Sequence, residues 1–238
     1  MKKSHAGSRW PLTVSMLGIV VFAALLWGGV ATAAEQNVNP RINRNYQNPD
    51  VGQWVGVFER DGREVWDRRF DILDRLRLAP GQSVADVGAG TGFFTALMAS
   101  AVGSTGTVYA VDIARNFVEA SVRRAAEQGF DNVVGIVNSQ QGVGLDDASV
   151  DLVFISDTYH HFEYPLTTLA SIRAALRPDG EMVIIDFKRE PGISSPWVLG
   201  HVRAGEARVR AEIESAGFEL VERLDFMQTQ YYLRFRRR

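Results

Sequence analysis

Residues 83–92 read SVADVGAGTG. A short apolar run, Ser83–Val87, ends in a turn bearing Gly88, Gly90 and Gly92, and a helical pattern follows over Thr91–Ala101. Strand, glycine turn and helix in that order open a βαβ unit. The glycines let the backbone approach a bound molecule closely, and the helix start offers free N–H groups to a carboxylate or phosphate. The spacing is G-x-G-x-G, and Phe93 occupies the position after Gly92, so the third glycine of the dinucleotide fingerprint is missing. Asp86, two residues before the first glycine, opposes a pyrophosphate and suits a ligand carrying a cation.

The alternation continues outward. Residues 62–77 predict a helix with Val65, Phe70, Ile72, Leu73 and Leu76 largely on one face, stopped by Pro80-Gly81. Strands are expected at Thr107–Val111, Val133–Val137, Val150–Ile155 and Met182–Ile185. Helices are expected at Ala114–Gln128, Leu166–Leu176 and Glu206–Ala216, and a final strand pair at Phe218–Leu224 and Gln230–Phe235. The expected class is α/β: a doubly wound, seven-stranded, mostly parallel sheet over residues 61–238. Ligands of such sheets bind at the carboxyl ends of the strands. Arg234, Arg236, Arg237 and Arg238 read as a charged edge strand.

Composition sets the bounds. The 238 residues are 46% apolar and 23% charged, with net charge −2. That is globular composition, without the positive field of a nucleic-acid binder. The absence of cysteine removes disulfides, thiolate metal sites and cysteine nucleophiles.

Residues 1–33 form a leader with Lys2, Lys3 and Arg9, an apolar stretch and the small-residue site Ala31-Thr32-Ala33. Two readings stand: a cleaved signal peptide, or an uncleaved helix anchored in the membrane through residues 12–30. Either exports the rest of the chain, to the periplasm or another extracytoplasmic space. Loss of 1–33 would leave a net charge of −5. Residues 34–60, polar and asparagine-rich at first, read as a linker followed by a lid segment.

The second strand ends in VYAVD, 20 residues after Gly92, and a carboxylate there accepts both hydroxyls of a ribose. With VADVGAGTGFF, SVDLVFISDTYHHF and LRPDGEMVIIDF, this set resembles the class I S-adenosylmethionine-dependent methyltransferases of small-molecule type, over roughly residues 60–238. The resemblance implies S-adenosyl-L-methionine as cofactor and an antiparallel last strand inserted between the fifth and sixth, which residues 218–236 fit. Gly88, Ala89, Gly90, Thr91 and Gly92 would wrap the methionine end. Asp86 would hold the loop or reach the ammonium, Asp112 would bind the ribose and Ile113 would pack on the adenine. Asn138 and Ser139 stand where members often carry an acid for the adenine amino group, and Ser156 completes the cofactor set.

Methyl transfer is an in-line displacement that needs an aligned nucleophile, and a hydroxyl or acidic carbon must also lose a proton. Histidine is the usual base near neutral pH. His160 or His161 is therefore the candidate, with Asp157 orienting one of them or meeting the cofactor and Tyr159 lining the pocket. The Asn-Pro-Pro-Tyr signature of amine methylation is absent, which disfavours nucleic-acid bases. Asp157 and Asp186 stand near the magnesium positions of catechol-type members, but Phe187 replaces the companion asparagine and no metal is expected. Asp157 with His160 or His161 also suits a transition metal. Trp54, Phe58 and Trp66 have two readings: core, which their helical spacing favours, or a segment over the pocket that stacks on a substrate ring or cation; residues 188–203 form a loop or lid whose His201 or Arg203 meets an anionic group. Two other functions remain open: a non-catalytic cofactor-binding or scaffold domain, and a nicotinamide-dependent oxidoreductase.

Overall fold

A computed structural model describes residues 1–3 and 35–238. The leader, with its expected helix and cleavage site, lies outside the described residues. Among the described residues no helix is long and apolar enough to cross a membrane. Glu35–Arg238 form one unit.

Its elements run α1 (Val51–Phe58), α2 (Glu64–Asp67), α3 (Arg69–Leu76), β1 (Ser83–Val87), α4 (Phe93–Val102), β2 (Thr107–Asp112), α5 (Arg115–Glu127) and β3 (Val133–Val137). They continue with β4 (Val150–Ser156), α6 (Pro165–Ala175), β5 (Leu176–Phe187), α7 (Pro196–His201), α8 (Glu206–Ser215), β6 (Phe218–Leu224) and β7 (Gln230–Arg237). The seven strands lie in the order β3-β2-β1-β4-β5-β7-β6. β7 is antiparallel to both neighbours, while β1 to β5 pair in parallel. The order reverses between β1 and β4, and that switch point opens a crevice at the strands' carboxyl ends.

Strand residues alternate between two buried faces. Val84, Leu152, Phe154 and Val183 pack with α3 and α4, whereas Ala85, Val153, Ile155 and Ile184 pack with α6 and α8. Gly135 has no side chain where α5 crosses β3; a Cβ there would lie 2.5 Å from Val118 Cγ1.

Two expectations are corrected. The helix over 62–77 is two, and Phe70 is exposed, its ring capped by the Arg69 guanidinium. β7 is interior and β6 forms the edge, so Arg234 is buried. Its guanidinium donates to Glu181, to the Arg75 and Leu76 carbonyls and to the Tyr232 hydroxyl oxygen. The stretch after residue 34 packs on the domain: Glu35 accepts the Leu166 and Thr167 N–H groups at the start of α6, and Asn43 is buried.

Candidate functional site

A cavity of about 740 Å³ occupies the crevice. That lies within the range of small-molecule sites, roughly 300–1,000 Å³. The turns after β1, β2, β3, β4 and β5 all contribute to its wall.

The turn after β1 needs its glycines. Gly88, Gly90 and Gly92 have φ of 81°, 54° and 78°, the left-handed region that costs other residues about 1–2 kcal/mol. A Cβ on Gly88 would lie 2.2 Å from Thr158 Oγ1, and one on Gly92 would lie 2.6 Å from Ser121 Cα. Gly88, Ala89 and Gly90 line the cavity, whereas Thr91 and Gly92 do not. Thr91 instead donates to Glu59 at 2.7 Å, and Arg124 donates to the same carboxylate at 2.9 Å. This joins the end of α1 to the glycine turn and α5.

Two buried acids face the crevice. Asp86 accepts from the Thr95 hydroxyl at 2.6 Å, and burial pushes its pKa up to about 7 despite that bond, with Asp112 adding to the rise. Asp112 accepts the Gly90 N–H at 3.0 Å and the Ala114 N–H at 2.9 Å, one on each oxygen. Burial raises it to about 6 against those bonds. An ionised carboxylate has about four acceptor sites, so Asp112 keeps about two for hydroxyls. A cation entering the cavity would restore the charge of both groups.

Ile113, Asn138 and Ser139 line the far side of the cavity. Asn138 holds its own turn through bonds to the Ser139 and Gly142 carbonyls, both 3.0 Å. Its Oδ1, Ser156 Oγ and Asp157 Oδ1 are buried, lack a partner among the described residues and belong to residues that line the cavity. Orphaned polar atoms in one cavity are the pattern of a ligand site.

The segment after β4 holds the candidate base. Asp157 has φ 47° and receives Arg63 at 2.8 Å; burial raises its pKa, and Arg63 opposes the rise. Asp157 therefore orients neither histidine. Asp186, at the end of β5, does that. Its Oδ1 lies 2.7 Å from His160 Nδ1, and its Oδ2 accepts the His160 backbone N–H at 3.0 Å. An ionised carboxylate only accepts, so Nδ1 carries the proton and Nε2 is left free. His160 and Asp186 are 3% and 1% exposed. His161 also lines the cavity, with Nδ1 3.0 Å from Asn43 Oδ1. Burial, with His160 and His201 nearby, drives the His161 pKa well below its ordinary value.

Tyr159 does not line the cavity. It lies wholly within the core, its hydroxyl donating to Glu212 at 3.0 Å. Arg203 is held by Glu212 at 2.7 Å and does not line the cavity. Trp54 and Phe58 correct the core expectation: α1 buries no residue, and both rings line the cavity, 4.9 Å apart. Trp66 packs against the core, edge-on to Phe93. Asn43, Tyr46 and Arg63 were silent in the sequence, because the site residues they meet, His161 and Asp157, lie about a hundred residues away; only the asparagines of 34–50 hinted at polar contacts.

A methyltransferase-domain family profile matches residues 78–231, more than half of the chain. The chain belongs to that methyltransferase family. Nocamycin O-methyltransferase from Saccharothrix syringae is 33% identical over 159 residues, 63% of this chain and 54% of that protein. Demethylmenaquinone methyltransferase from Anoxybacillus flavithermus is 27% identical over 168 residues, 70% and 68% of the two chains. The crystal structure of a SAM-dependent methyltransferase from Aquifex aeolicus aligns with TM-score 0.69 and 26% identity, covering 78% of this chain and 97% of that one.

The methyltransferase takes S-adenosylmethionine as cofactor. The cavity fits it on chemical grounds: two buried acids suit its ammonium and sulfonium charges, Asp112 has acceptors for a ribose, and the glycine turn admits a close backbone approach. The nicotinamide reading is set aside with this membership.

Proposed function

We propose that the methyltransferase acts on a small-molecule acceptor through an oxygen or carbon nucleophile, with His160 as general base. The observation that carries this reading is His160, which lines the same cavity as the glycine turn and is held from behind by the buried Asp186. When bound, S-adenosylmethionine supplies an electrophilic methyl group. The protein's part is then to place the acceptor, exclude water and remove one proton. Asp186 keeps the His160 lone pair on Nε2 and stabilises the imidazolium formed on proton uptake, the role of an orienting acid. Trp54, Phe58 and Tyr46 form an aromatic wall, with neighbouring rings 4.8 and 4.9 Å apart, on which a flat acceptor can stack. Relatives named for O-methylation and for demethylmenaquinone support that acceptor class.

The test is release of S-adenosylhomocysteine across a panel of phenols, naphthols, hydroxyquinones and activated methylene compounds. Turnover of one class, lost in His160→Gln with cofactor binding kept, is the expected result. Turnover confined to amines, or a His160→Gln variant as fast as wild type, would refute the assignment. No turnover with any compound, alongside intact cofactor binding, would favour the scaffold reading. Export by the leader belongs to the same proposal, on the order of its basic, apolar and small-residue segments. A reporter fused after residue 238 and active only outside the cytoplasm is the expected readout; cytoplasmic activity would refute it.

A further inference from the structure

His160, His161 and His201 bring ring nitrogens within 4.8 Å of one another. His160 and His161 follow β4, whereas His201 ends α7, a helix of the segment after β5. The three rings are in mutual contact, with centroid separations of 4.4, 5.2 and 5.2 Å. His161 Nε2 and His201 Nε2 stand 3.5 Å apart.

The partners of the Nδ1 atoms decide which nitrogens are free. Asp186 takes the Nδ1 proton of His160. The Asn43 amide is oriented by its own donors: Nδ2 faces Gln140 Oε1 and the His161 carbonyl at 3.0 Å, and Glu163 Oε1 at 3.4 Å. Oδ1 is therefore the atom toward His161, and it accepts the Nδ1 proton there. Both imidazoles are thus fixed with bare Nε2 atoms. Histidine ligands of metals carry this outer arrangement, the far N–H donated to a carboxylate or amide oxygen. A tetrahedral ion with metal–nitrogen bonds of about 2.0–2.1 Å holds its ligands about 3.3–3.4 Å apart. The His161–His201 pair is already near that spacing, and nitrogens no more than 4.8 Å apart need to close by about 1.4 Å at most.

We propose that His160, His161 and His201 bind one divalent transition-metal ion through their Nε2 atoms, and that this ion competes with the proton for His160. Three imidazoles without a carboxylate ligand select zinc, copper or nickel over magnesium or calcium. A simple His161–His201 hydrogen bond would explain one contact at 3.5 Å. It would not explain why two separate oxygens fix both neighbouring rings with their Nε2 atoms bare. His160 and His161 line the cavity, so an ion held by them would border it. The competition rests on His160 serving as base, because a metal on Nε2 occupies the lone pair that accepts the proton. The binding site itself does not depend on that role.

The experiment uses the untagged full chain, stripped of metal, with cobalt(II) as spectroscopic probe and zinc in a calorimetric titration. One equivalent of cobalt giving visible d–d absorption of a low-coordinate nitrogen site is expected, with zinc displacing it. His201→Ala and His161→Ala should abolish the band while their circular dichroism matches wild type. Asn43→Ala should weaken binding by about 10–100-fold, as loss of an outer partner does. No band, or a band that survives in His201→Ala, would overturn the site. Methyl transfer by wild type should fall as zinc fills the site and return on chelation, and His201→Ala should be insensitive to zinc whatever its own rate. Stoichiometric zinc binding with undiminished transfer would overturn the competition, and with it the base role of His160, leaving the metal site in place.

Discussion

Asp86 is a buried acid that destabilises the free protein, and Asp86→Asn should reveal it. Burial lifts the carboxyl from 3.8 to about 7, and the Thr95 hydroxyl offsets only part of the rise. A group that binds its proton more tightly when folded adds stability at low pH. Between about pH 4 and pH 7 the folded state holds the proton and the unfolded chain releases it, so stability falls as pH rises. At about 1.4 kcal/mol per pKa unit, the loss from Asp86 is about 4 kcal/mol above pH 7. Asparagine keeps an acceptor for Thr95 and carries no charge. The variant should therefore be more stable than wild type at pH 8 by up to about 4 kcal/mol. For a chain of this size that is on the order of 10 °C in Tm. Below about pH 4 the two should converge, because the wild-type carboxyl is then neutral in the folded state and largely neutral in the unfolded chain. Urea unfolding of both proteins at a series of pH values measures this directly. Cofactor affinity should move the opposite way, since a neutral amide does not attract a cation. Equal or lower stability of the variant at pH 8 would refute the reasoning.

Three further outcomes follow from the geometry. Gly88→Ala should lower Tm sharply, because a Cβ at φ 81° meets Thr158 Oγ1 at 2.2 Å; Gly62→Ala, with φ 83° and open space around it, should cost only the backbone strain of about 1–2 kcal/mol. Asp186→Asn should reduce kcat by about 10–200-fold, the worth of a charge-assisted hydrogen bond of roughly 1.5–3 kcal/mol, with KM little changed; an unchanged kcat in steady-state assays would remove Asp186 from proton transfer. Trp54→Ala should raise the acceptor KM while leaving the cofactor Kd within a few-fold, which titration and kinetics separate.

The parts of this molecule written in local patterns were legible in the sequence. β1 and β3 begin and end at the expected residues, because alternating or apolar runs bounded by turns need no distant information. The glycine turn and the two strand-end acids were legible for the same reason. Tyr159 was misplaced because its neighbours in sequence are site residues, whereas its hydroxyl is drawn to Glu212, 53 residues on. Arg234 was misplaced because four arginines in five residues read as surface. Only the insertion of β7 between β5 and β6 puts it against Glu181 and two helix-end carbonyls. Asp186 was noticed as a potential metal ligand, and its pairing with His160 needed β4 and β5 to lie side by side. Asn43 and Tyr46 precede the sheet in sequence, and their places on the cavity wall depend on contacts with His161, far downstream.

The central claim is that the crevice over β1 and β2 binds S-adenosylmethionine through Asp112. Isothermal titration of the full chain with S-adenosylmethionine and with S-adenosylhomocysteine, for wild type and Asp112→Ala, tests it most directly. The expected result is one site of micromolar affinity for each ligand. Two hydrogen bonds to a charged acceptor are worth about 1.5–3 kcal/mol each, so Asp112→Ala should weaken binding by about a hundredfold or more while its circular dichroism stays native. A folded wild-type protein that binds neither ligand, or an Asp112→Ala variant that binds both as tightly, would contradict the account.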